Sequence, residues 1–176
     1  MKELIKWQWF GFAFTAIIGT LLHFLYEIFN KSIILAPISA VNESTWEHMK
    51  ILFVPMFIFA IIESRYLKGY VDSFWSAKLM GIIIGLVIIP VLFYTYTGIF
   101  GKSIDFINIA IFFISAAAAY LTETIILKNK WTLGFSPKVS FALIFIIWII
   151  FIITTFIQPD IPLFTDSATG KRGISK

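Results

Sequence analysis

The sequence predicts an all-α, polytopic membrane protein, a bundle of five transmembrane helices, and three observations carry that prediction. Only 14% of the 176 residues are charged while 59% are hydrophobic, too little polar surface to solvate a globular domain of this size. Five apolar stretches are long enough to cross about 30 Å of hydrocarbon at about 1.5 Å per residue. The polar residues gather in the short pieces between those stretches.

The spans are expected near residues 4–29, 46–66, 76–99, 105–127 and 138–158. Lys2 and Lys6 give the first the charged start of a signal peptide. Its apolar run is too long for one, contains Glu27 and lacks a small-residue cleavage site, so it reads as a retained helix. The second opens on Ser44-Thr-Trp-Glu47, a capping box, with Asn42 and Glu43 favouring a helix start and Trp46 suiting an interfacial belt. Pro55 in the second span and Pro90 in the third each remove a backbone donor and release the carbonyls of Ile51 and Leu86. The third span repeats small residues at Ala77, Gly81 and Gly85, a close-packing face that suits a neighbouring helix or a second copy in a homo-oligomer. The fourth carries Ser115, Ala116, Ala119 and Thr122 along one side, leading to Glu123. The fifth has no polar motif. Residues 1–158 thus form one bundle, and 159–176 a tail whose "PDIP" and "ATGKRG" read as turns.

Orientation follows from the basic residues. Lys2, Lys6, Arg65, Lys68, Lys78, Lys128, Lys130 and Lys138 fall on one side. Lys31, Lys50 and Lys102 fall on the other, joined by Lys171, Arg172 and Lys176 in the tail. The bias in the short loops puts the N-terminus in the cytoplasm and the C-terminus outside. Absence of cysteine excludes disulfide and thiol chemistry. The net charge of +4 sits in loops that face headgroups, with no basic patch interleaved with aromatics, so membrane lipids and not nucleic acid are the expected partners. No second copy of the first two spans can be aligned, which weighs against a carrier built by duplication.

Ionisable groups inside a bilayer cost at least about 2.5–3.5 kcal/mol and usually face a protein interior or cavity. His23 and Glu27 are four residues apart near the outer end of the first span, so one helical face presents both. Glu43, Glu47 and His48 open the second span at the same depth. Glu63 lies about 24 Å further down that helix, and Glu123 reaches a similar inner depth on the fourth. His23, Glu27 and His48 are the expected ligands of zinc or another divalent metal. With Glu47 they form the candidate catalytic group, and Asn42, Glu43 and Ser44 stand in support. Without metal, a histidine oriented by a carboxylate can act as a general base. The competing reading makes "NESTWE" a helix cap only, which leaves His23, Glu27 and His48 unexplained. Glu63 and Glu123 would pair with Arg65, Lys68 or Lys128 at the interface, or face each other and share a proton.

"FLYE" (24–27), "APISAVNESTWEHMKILFVPMF" (36–57) with Glu63, and "IPLFTDSATGKRG" (161–173) are similar to a family of small bacterial integral membrane proteins of unknown function. The resemblance covers essentially the whole chain. It implies about five helices in a bacterial cytoplasmic membrane and supplies no activity or site. The residues favour a metal- or histidine-dependent membrane enzyme acting on a lipid or lipid-linked substrate near the outer leaflet. A proton-coupled transporter or channel built on Glu63 and Glu123, and a non-catalytic membrane interaction subunit, are the alternatives.

Overall fold

A computed structural model describes residues 1–174, so Lys176 lies outside the described residues. Five helices account for the fold: α1 (Lys2–Ile28), α2 (Thr45–Glu63), α3 (Val71–Phe100), α4 (Asp105–Asn129) and α5 (Pro137–Phe156). All five are long and apolar enough to cross a membrane, and the described residues contain no β-strand. The chain has the form of a multi-pass membrane protein.

Helix boundaries have local causes. Ser44 caps α2 by accepting the Glu47 N–H at 3.3 Å, and Ser136 caps α5 by accepting the Val139 N–H at 3.3 Å, with Pro137 in the first turn. The capping box is only half made. Ser44 N–H goes to Asn42 Oδ1 at 3.0 Å, while Glu47 turns inward to accept the Val41 N–H. Gly101 ends α3 in the left-handed region at φ 69°, a conformation that glycine adopts without a Cβ penalty.

The second helix is the core. It is buried over 72% of its most apolar window against 22% for α5, and α1, α4, α3 and α5 form an arc around it. Elsewhere small residues set the approach distances. Gly85 packs on Ser115 and Ala119 of α4, and a Cβ at Gly81 would lie 2.9 Å from the Ala119 carbonyl oxygen. The Gly81–Gly85 face thus packs on α4 of the same chain. The carbonyl of Ile51, released by Pro55, faces Gly19 of α1, where an added Cβ would sit 3.0 Å from it.

Two cations assigned to loops are corrected. Lys50 lies in α2 and Lys78 in α3, both buried. Each side of the charge comparison loses one.

Candidate functional site

At one end of the bundle α1 finishes, α2 begins and α4 begins; this is called the histidine end. The buried face of α1 runs through Thr15, Gly19, Leu22 and Tyr26, which turns His23 to the side toward α2. Its ring Nε2 lies 3.4 Å from Glu43 Oε2. His48, one turn into α2, brings its own Nε2 to 3.6 Å from the same oxygen. The two rings stand 5.3 Å apart between centroids.

His48 Nδ1 lies 2.9 Å from the Ser44 carbonyl oxygen. That oxygen can only accept, so Nδ1 carries the proton and Nε2 keeps a free lone pair. His23, Glu43 and His48 each offer a ligand atom, all within 4.8 Å of one another. Tetrahedral bonds of about 2.0–2.1 Å separate ligand atoms by about 3.3 Å. The two edges to Glu43, 3.4 and 3.6 Å, lie near that spacing, so the three side chains stand within metal-binding distance of one another. The hydrogen-bonding His23 ring beside Glu43 holds its carboxyl below the usual carboxylate range, against partial burial that pushes it up.

The group opens onto a cavity of about 950 Å³, toward the upper end of the range for small-molecule sites. Its shape follows from the α1–α4 contact. Thr15 hydrogen-bonds Tyr120 at 2.8 Å, and Gly19 lies under the Phe112 ring. Beyond that layer the helices part. Phe24 on α1 and Ile109 and Phe113 on α4 flank the opening, and each is exposed on the apolar exterior. Lys102, Ser103 and Asp105 supply a polar upper rim, joined by Ser167 and Ala168 of the tail.

Other candidates fall elsewhere. Glu27 is exposed and outside the group, because Tyr26 takes the inward position and the next residue turns about 100° away. Glu47 is fully buried and paired with Lys50 at 2.6 Å. Lys50 also donates to the Ala36 carbonyl at 2.8 Å and to Thr155 at 2.9 Å, locking the α1–α2 loop onto α5. The expected set of His23, Glu27 and His48 is thus replaced in space by His23, Glu43 and His48. Asn42 donates to the Gly173 carbonyl at 3.1 Å, and Trp46 donates to Thr154 at 2.9 Å while packing on Phe151 and Phe164.

At the opposite end Glu63 and Glu123 do meet, with the ammonium of Lys78 between them and bonded to both. Gln8 donates to Glu63 at 2.8 Å. Neither carboxylate pairs with Arg65 or Lys128, as the interfacial pairing required, because a lysine inside α3 reaches both; the Lys68 side chain lies outside the described residues. The sequence signal that could have found Lys50 and Lys78 is a lone lysine inside an apolar run, which needs a buried carboxylate.

No curated protein and no solved structure matches the chain. Residues 1–174 match the family of unknown function DUF6512, and the chain belongs to that family.

Proposed function

We propose that this chain is a membrane-embedded, metal-dependent enzyme whose His23, Glu43 and His48 hold a divalent ion, most suitably zinc, and act on a lipid or lipid-linked substrate. One observation carries the reading: the three ligand atoms converge at the wall of a cavity lined both by polar residues of the loops and tail and by apolar residues of α1 and α4 that are exposed on the exterior. An amphiphile could enter such a cavity from the bilayer, with its chain against Phe24, Ile109 and Phe113 and its headgroup beside His23, Glu43 and His48. A bound divalent ion supplies a water of lowered pKa and polarises a carbonyl or phosphoryl oxygen. Glu43, half-exposed at 45%, would complete the ligand set beside the two histidines. The basic bias of the loops supports the histidine end facing outward across a bacterial cytoplasmic membrane.

The test has two stages. Protein purified in mild detergent without chelator or a histidine tag is assayed for bound metal by elemental mass spectrometry. Near-stoichiometric metal in the wild type, lost in His23→Ala, His48→Ala and Glu43→Gln, is the expected result. Incubation with bilayer lipids then compares products of wild type and His48→Ala by mass spectrometry. Metal retained in all three variants, or identical lipid products from both proteins, overturns the proposal.

A further inference from the structure

The tail from Thr165 to Gly173 lies 122 residues or more from Glu43 in sequence, yet it takes both backbone groups of Glu43. Asp166 Oδ2 accepts the Glu43 N–H at 3.1 Å. Ser167 donates to the Glu43 carbonyl from its hydroxyl at 3.1 Å and from its N–H at 3.4 Å. An isolated β-bridge joins Ser44 to Asp166 beside these bonds. No hydrogen bond from Glu43's own helix or loop replaces them, because Glu43 precedes the capped turn of α2.

Asp166 is itself fixed. Its Oδ1 accepts the N–H groups of Ala168 and Thr169, both at 2.8 Å, and its backbone closes the turn with Lys171 at 2.8 Å and Gly170 at 2.9 Å. Gly170 and Gly173 sit at φ 69° and 79°, where a side chain would strain the turn. Burial pushes the Asp166 carboxyl up, but the N–H donors of Glu43, Thr169 and Ala168 outweigh it and hold the group below its usual range. The carboxylate thus serves two bonding roles at once, Oδ2 toward Glu43 and Oδ1 toward its own turn.

We propose that Asp166 is a positioning residue of the His23–Glu43–His48 centre, acting through the Glu43 backbone so that the tail completes the site. The proposal rests on the metal-binding reading above. Its logic is that of outer-shell partners at metal sites, whose loss costs about 10–100-fold in metal affinity. Glu43 is the only ligand on a loop; His23 and His48 are carried by helices. It alone needs an external brace to hold its carboxylate between the two rings.

The probe is Co²⁺, whose visible absorption reports the ligand set, added to the full chain in detergent. Asp166→Ala is expected to weaken Co²⁺ binding about 10–100-fold and to move the spectrum toward that of Glu43→Gln. In a Glu43→Gln background the same substitution should add nothing, since its effect runs through Glu43. Asp166→Asn keeps an acceptor for the Ala168 and Thr169 N–H groups and is read wherever the alanine variant fails to fold. Hydrogen exchange at the Glu43 amide is followed in parallel and should quicken in both variants. An unchanged spectrum, an additive loss in the double variant, or unchanged exchange at Glu43 overturns the proposal. If the wild type takes up no Co²⁺, the metal reading falls and Asp166 with it as a metal-positioning group. Faster exchange in the variants would then still identify the tail as the brace of Glu43.

Discussion

Two clusters of charge sit at opposite ends of this bundle, and they differ in how much of their bonding capacity is spent inside the protein. At one end Lys78, Glu63 and Glu123 have side chains exposed by 2%, 0% and 1%. The lysine bonds both carboxylates, and Phe74 and Tyr120 lie against its ammonium. At the other end His48, His23 and Glu43 have side chains exposed by 16%, 25% and 45%. Two ring nitrogens point at one carboxylate oxygen, and the group opens onto a large cavity. A fully desolvated cluster must neutralise itself from within, because a buried unpaired charge costs several kcal/mol. A half-solvated cluster keeps ligand atoms available. The comparison teaches that residue types alone do not separate an internal tie from a site, since both ends set carboxylates beside basic side chains.

The largest expected effect breaks the closed cluster. Lys78→Met leaves Glu63 and Glu123 buried without a cation and should cost about 3–5 kcal/mol, read as a fall in thermal midpoint in detergent. The metal content of whatever remains folded should not change. If Lys78→Met matches the wild type in stability, the cluster is not a structural tie and the contrast between the ends collapses.

Next comes the helix contact beside it. Gly81→Val presses on the Ala119 carbonyl and on Glu123, neither of which can yield freely. The expected cost is about 1–3 kcal/mol, measured by the same thermal scan. An effect on oligomeric state with no loss of stability would instead mean that the Gly81 face is free for another copy.

The open cluster should respond in the opposite way. His48→Ala is expected to abolish metal binding while costing at most about 1 kcal/mol of stability, because the ring is not a packed core element and makes one hydrogen bond, to Ser44. Parallel calorimetry and elemental analysis check both halves. A stability loss comparable to that of Lys78→Met would reclassify the histidine end as a structural tie.

The smallest effect is graded by pH. Protonation of an imidazole removes the lone pair that would bind metal, so uptake should weaken toward acid pH. Glu43 and Asp166 both have depressed carboxyl values in the folded chain. Their interactions are thus fully present above the ordinary values of 4.5 and 3.8 and are lost only as pH falls through the lower folded ones. Metal should therefore be released at mildly acid pH before the tail detaches. Hydrogen exchange at the Glu43 amide against metal content across pH 3–7, about the range these groups span, reads the two events separately. Simultaneous loss would show that the tail and the histidines are not independent supports.

How much of this was legible beforehand differs by residue. The five helices follow from span length and hydropathy, the α2 start from Ser44, and the small-residue face of α3 from its four-residue spacing. The pairing of His23 with His48 was also within reach, since consecutive antiparallel helices bring those depths together. The third partner was not. Helical spacing pointed to Glu27, four residues from His23, but Tyr26 takes the inward place against Ala36 and Val41. Glu47 looked available beside His48 until Lys50, assigned to a loop, proved to be its buried partner. Capping explained Glu47 less well than the lysine three residues on.

The sequence by itself determined that this chain is a bundle of membrane-spanning helices and which few ionisable residues lie within it, because hydrophobic length and the cost of buried charge are local properties. Only the tertiary structure decided which of those residues meet. That choice depends on helix rotation, on Lys78 and Lys50 reaching across to distant carboxylates, and on a tail held against Glu43 by backbone hydrogen bonds that leave no periodic trace in the chain.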